Sequence, residues 1–106
     1  DMQGSHGMKN KRTWHEESVR VPFLVAGPGL PAGSVRDEVV DLAGFASTFA
    51  ALCGLPSLRS PDGTPFADCL LGRPRSIPRF ARSEDESGWL MVREGDWKLV
   101  VARADL

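Results

Sequence analysis

Residues His6–Pro22 read HGMKNKRTWHEESVRVP, and they separate the chain's chemistry from its scaffold. The first part sets His6, Lys9, Lys11, Arg12 and His15 around Gly7 and Asn10, and residues 1–12 show no apolar period. That pattern is a loop. Thr13 followed three residues later by Glu16 has capping-box spacing and predicts a short helix over Trp14–Val19. Glu17 and Arg20 stand three apart, placed to pair along its surface. At Val21 the character changes. Val21-Pro22-Phe23-Leu24-Val25-Ala26 is a continuous apolar run closed by Gly27-Pro28-Gly29. Its brevity and its β-branched and aromatic content predict a buried strand. Unbroken apolarity fits a strand covered on both faces, as in an α/β sheet. Pro22 sits near its start, where little of the ladder is lost.

Downstream, Leu30–Gly33 reads as a turn and Ser34–Val40 as a surface connection. Asp41–Cys53 is the clearest helix. Asp41 can cap it, and Leu42, Phe45, Phe49 and Leu52 form one apolar stripe at spacings of three, four and three. Gly54 suits a left-handed C-terminal residue, and Pro56 prevents continuation. Ser57–Pro65 is turn-rich, Phe66–Leu71 predicts a helical turn ending at Gly72-Arg73-Pro74, and Ile77–Ser83 reads as extended. A hairpin follows: Trp89–Arg93, a turn at Glu94-Gly95-Asp96, and a return over Trp97–Val101. Trp89 and Trp97 read as hairpin packing.

The chain has 106 residues, 42% of them hydrophobic and 25% charged, within the range of one small globular domain. A net charge of -1 gives no support to nucleic-acid binding, which usually shows as a basic excess. No apolar run approaches the roughly 18–20 residues of a membrane span. Cys53 and Cys69 lack the paired spacing of a zinc site. Cys53 reads as a small core residue, and a bridge to Cys69 stays open. The Gly/His-rich start and the ending Ala104-Asp105-Leu106 suggest a C-terminal piece of something longer. The missing signal peptide therefore assigns no compartment.

Lys11 is the first chemical candidate. A cation just before a helix N-terminus can meet an anionic substrate, although Lys9, Lys11 and Arg12 equally read as a solvated basic cluster. His6 can act as ligand, acid or substrate contact, or simply as a hydrogen-bonded loop residue. His15 reads as structural. Glu16 and Glu17 point about 100° apart on a helix, so capping and ion pairing suit them better than acid–base chemistry. No phosphate-cradling loop, nucleophile elbow or zinc-protease motif occurs.

The stretch Asp1–Gly33, DMQGSHGMKNKRTWHEESVRVPFLVAGPGLPAG, resembles the C-terminal part of the type I sulfatases, of the alkaline phosphatase-like superfamily. Their pattern is S-D-H-G-[DE]-x-x-G-x-H-G-x-x-x-K, an aromatic-rich segment, E-x-x-x-R-V-P, an apolar strand and G-P-G. His6-Gly7, Lys11, Glu16 to Pro22 and Gly27-Pro28-Gly29 match it. Val39–Pro56, Asp62-Gly63, Leu70-Leu71-Gly72 and the hairpin segment Val92–Leu99 resemble later parts of the family.

The resemblance implies an α/β fold: a fragment of the alkaline phosphatase-like sandwich with a small antiparallel hairpin unit. Residues 1–56 would belong to the catalytic domain and 57–106 to a C-terminal subdomain. It implies hydrolysis of a sulfate ester of a small molecule or glycan, with a calcium ion and a formylglycine. Lys11 matches the lysine that contacts the sulfate and assists the leaving oxygen, and His6 matches a histidine at the pocket's edge. The family's metal-binding pair would precede Asp1, and its nucleophile, made from the cysteine of C-x-[PA]-x-R, is not matched. Cys69–Arg73 cannot replace it, because Leu71 stands where Pro or Ala is needed. These 106 residues are thus expected to be inert alone. Alternatives are a phosphonate or phosphate monoester hydrolase of the same superfamily, and a non-catalytic interaction module using the basic loop.

Overall fold

The computed structural model describes residues 1–58, 62–73 and 80–102. They form two units, Asp1–Leu24 with Arg82–Leu106, and Val25–Ala81. Helices are few, and the strands make one small antiparallel sheet. The expected extension over Ile77–Ser83 lies outside the described residues at 77–79, as do the tail at 104–106, Pro74 and positions 59–61 of the turn-rich loop.

The first unit is built on strands β1 (Ala81–Glu84), β2 (Trp89–Glu94) and β3 (Trp97–Ala102), in that order across the sheet. The expected hairpin is β2–β3, with a shorter turn than the sequence suggests. Glu94 pairs with Trp97, so Gly95 and Asp96 alone make the loop. Gly95 takes φ +55°, the positive value that primed two-residue turns require at their first position. The register puts Trp89, Met91 and Arg93 opposite Ala102, Val100 and Lys98 on one face. Trp89 and Met91 are buried there, together with Met2 and Thr13 of the N-terminal segment. Trp97 is on the other face and 84% exposed, so it does not pack as expected.

Residues 1–12 form the expected loop, with one 3-10 turn at Ser5–Gly7. The helix after it starts later than the capping box suggests. α1 spans Glu16–Val19, and His15, at ψ 149°, is its N-cap. Thr13 is buried, and its Oγ1 has no hydrogen-bond partner among the described residues. Tertiary contacts override the local signal: Trp14 packs edge-on against Trp89, and His15 stacks on His6. The apolar run Val21–Ala26 is not a buried strand. It has no regular structure, and Leu24 is 88% exposed. A strand needs a neighbour for its N–H and C=O groups, and the described ladder is taken up by β1, β2 and β3.

In the second unit the helix expected over Asp41–Cys53 is present. Asp41 Oδ1 accepts from Gly44 N–H at 3.3 Å, a 3-10 turn covers Leu42–Gly44, and α2 runs over Phe45–Leu52. Gly54, at φ +67°, donates to Ala51 O at 3.1 Å, and Leu55 N–H reaches Ala50 O at 2.9 Å. This is a Schellman end. α3 (Ala67–Leu70) closes in the same way through Gly72 and Arg73.

The apolar stripe of α2 does not face a core. Leu42 is 66% and Phe49 58% exposed, and the rings of Phe45 and Phe49 stack with centroids 6.0 Å apart. The buried positions are instead the small ones, Gly44, Thr48 and Ala50. Gly44 and Gly63 let two backbone segments touch: a Cβ on Gly44 would overlap Thr64 O, and one on Gly63 would overlap the Ala43 backbone. Thr48 Oγ1 donates to Gly44 O at 2.7 Å and accepts from Phe66 N–H at 2.9 Å, so a buried hydroxyl is satisfied on both sides. Close approach of small residues thus outweighs the larger side chains in choosing the face. Cys53, expected in a core, is exposed at the helix end, and both cysteines are free.

Candidate functional site

Lys11 and His6 share the loop that precedes α1. Short backbone bonds fold this loop on itself: Gly4 N–H to Met8 O at 2.7 Å, Met2 N–H to Asn10 O at 3.3 Å and Met8 N–H to Ser5 O at 3.0 Å. Among the described residues, three non-glycines have positive φ: Gln3 (44°), His6 (53°) and Arg12 (68°). All three lie in this loop. Each such conformation costs on the order of 1 kcal/mol, and it persists only where surroundings over-determine it.

The surroundings that hold Arg12 come from the hairpin. The Trp89 indole N–H donates to Arg12 O at 3.3 Å, and the Arg12 guanidinium pairs with Glu86 at 2.8 Å. Two residues on, Lys98 Nζ donates to Trp14 O at 3.0 Å. The Glu16 carboxylate then bridges two cations, Arg93 Nη1 at 2.8 Å and Lys98 Nζ. Arg93 and Lys98 are direct cross-strand partners, and like charges so placed repel. Glu16 supplies the charge that lets them coexist. The Lys98 hydrogen bond foremost, then the Lys98 and Arg93 charges, hold the Glu16 carboxyl below the ordinary glutamate value, against an opposing effect of burial. Glu16 is thus an ion-pair centre rather than a capping residue.

The His6 ring lies flat on His15, centroids 3.9 Å apart and planes 10° apart, with His6 Nε2 4.0 Å from Glu17 Oε1. Glu17, expected beside Arg20, is turned to this pair. Its own backbone N–H, then the Ser5 hydroxyl and the two histidines, draw its carboxyl down. Lys11 is exposed, as are Lys9 and Arg12. The arrangement is an open, positively charged loop with a pinned backbone, suited to meeting an anion.

The sequence picks out Lys11, His6, Glu16 and the hairpin, but not the joining of the last two. The spacing from Glu16 to Lys98 carries no local signal. The only pointer is that both sit in motifs. The His6–His15 stack has no sequence signal at all.

The residues here do not fit the cofactors that the resemblance implies. Among the described residues no group of three or more His, Cys, Asp or Glu can hold a metal ion. The Asp1 carboxylate accepts from Met2 N–H at 2.9 Å. Cys69 is buried in α3. Desolvation, then a hydrogen bond and charge from Glu38, push its thiol up to about 11, which makes it a poor nucleophile. Among the described residues, no helix is long and apolar enough to cross a membrane.

Two curated proteins are similar to this chain. An extracellular sulfatase SULF-1 homolog of Drosophila melanogaster is 39% identical over 75 residues, covering 70% of this chain and 7% of that protein. A choline-sulfatase of Rhizobium meliloti (strain 1021) is 30% identical over 118 residues, covering 99% of this chain and 22% of its own length. The chain therefore spans under a quarter of either relative. No family model and no solved structure matches it. With one likeness over 70% of the chain and the other over 99% of it, the chain belongs with the sulfatases, as a segment of sulfatase sequence.

Proposed function

We propose that this chain forms one wall of a site that hydrolyses sulfate esters, with Lys11 as the cation meeting the sulfate group and His6 as a further contact. The observation that carries this is the loop itself. Lys11 is exposed, while the backbone beside it is held in a left-handed conformation by bonds from a distant hairpin. Such strain is typical of places where a side chain must be presented in one direction.

A lysine suits the task as a compact cation on a flexible stem. Its ammonium gains most where negative charge grows, on the sulfuryl oxygens and the leaving oxygen. The substrate in this reading is a sulfate ester of a small molecule or a glycan. Calcium and formylglycine belong elsewhere in the full-length protein, and no step here passes through them. The alkaline phosphatase-like sandwich is the fold this reading implies for that whole protein. By the same reading, the 106 residues alone are inactive.

The test is Lys11→Ala in the full-length protein, assayed on an aryl sulfate. Turnover falls by roughly a hundredfold with the fold intact, as for loss of one charge-stabilising group. Unchanged turnover removes Lys11 from the mechanism. Aryl-sulfate hydrolysis by the isolated chain would contradict its expected inactivity.

A further inference from the structure

We propose that Trp89 and Lys98 are positioning residues for Lys11, so that the C-terminal hairpin is part of the site's working apparatus. The inference rests on the reading of Lys11 given above and extends it. The two side chains hold the carbonyls on either side of Thr13: Trp89 Nε1–H donates to Arg12 O at 3.3 Å, and Lys98 Nζ donates to Trp14 O at 3.0 Å. Thr13 between them is 2% exposed. Lys11 is the residue immediately before this pinned segment, and Arg12, at φ +68°, sets the direction in which its backbone leaves.

Neither carbonyl is bonded within a helix, because α1 begins only at Glu16. Without the hairpin's donors, Arg12 has little reason to stay left-handed, a region a β-carbon disfavours. Relaxation to φ below zero would swing the chain on the Lys11 side. Lys98 is itself steered by Glu16, which also takes Arg93. Trp89 is oriented by burial and by the edge-on ring of Trp14, 5.9 Å away. The cradle is thus made of side chains that are themselves fixed, as positioning of a reacting group requires.

The experiment is a double-mutant cycle in the full-length protein, reading kcat on an aryl sulfate, with thermal midpoints recorded for every variant. Trp89→Phe keeps the ring and removes the N–H donor. It lowers kcat roughly tenfold in the parent, and less than twofold when Lys11 is already alanine, because its effect passes through Lys11. Trp97→Phe, on the opposite face of the hairpin, leaves kcat unchanged. Lys98→Met repeats the cycle at a partly exposed position, should Trp89→Phe lose its fold. Equal losses in both Lys11 backgrounds, no loss from either variant, or an equal loss from Trp97→Phe would each overturn the proposal. A harmless Lys11→Ala would bring down the Lys11 reading and this one together, whereas a damaging Lys11→Ala with additive losses brings down this one alone.

Discussion

The two units differ in what joins their segments. In the first, polar and ionic bonds join the N-terminal loop to a hairpin: an indole N–H, an ammonium and a carboxylate between two cations. In the second, α2 lies against residues 63–66 through glycines and one buried threonine, with its large apolar side chains left open. Polar bonds are directional and fix where a loop points. Close backbone packing is unforgiving of volume but directs nothing outside itself. The proposed sulfate contact, Lys11, lies in the first unit, whose loop is held by such bonds.

Three substitutions probe that contrast. Gly44→Ala strikes the tightest backbone contact, where the new Cβ meets Thr64 O. It destabilises the second unit by about 3 kcal/mol, as overpacking against backbone does, measured by hydrogen exchange of α2 amides. A small loss would mean that the segments can separate cheaply, and the contrast would weaken. Thr48→Val keeps the volume and removes both bonds of the buried hydroxyl, to Gly44 O and from Phe66 N–H. It costs about 2 kcal/mol by the same measurement.

Glu16→Gln has the smallest effect, about 1 kcal/mol in the first unit, because its three groups are partly exposed and screened by solvent. Acid does the same work. The Glu16 carboxyl is held below the ordinary glutamate value, so its contribution is present at neutral pH. It fades as pH falls through the lowered value. Protection of hairpin amides should drop on acidification more in the parent than in Glu16→Gln, where the lowered Glu17 and Asp85 still titrate. An equal drop in both would locate the acid-sensitive group elsewhere.

Local signals were legible where a residue acts on its neighbours. Asp41, Gly54 and Gly72 mark helix ends in the sequence and do so in the structure, since capping is decided within a few positions. The hairpin was legible for the same reason. What failed was any inference that an apolar residue chooses its own side. Val21–Ala26 and the stripe of α2 read as buried and are open, because burial depends on a partner surface that a periodicity does not contain. The Thr13–Glu16 spacing failed differently. Glu16 is drawn instead to Arg93 and Lys98, partners far along the chain that the local spacing does not contain. At the candidate site, Lys11 and His6 were visible as chemistry, but the means of holding them were not. Those means join residues 77 and 84 positions apart.

That separation has a consequence for the order of events in folding. The whole second unit lies in the sequence between the loop and the strands that hold it. Its helix and caps involve near neighbours and can form early, whereas joining Arg12 to Trp89 must first close a long span of chain. During synthesis from the N-terminus, the lysine loop emerges before Val25–Ala81, and Lys98, the last of its supports, emerges after them. The pinning of the Arg12–Trp14 backbone is therefore a late step, completed only when β3 arrives.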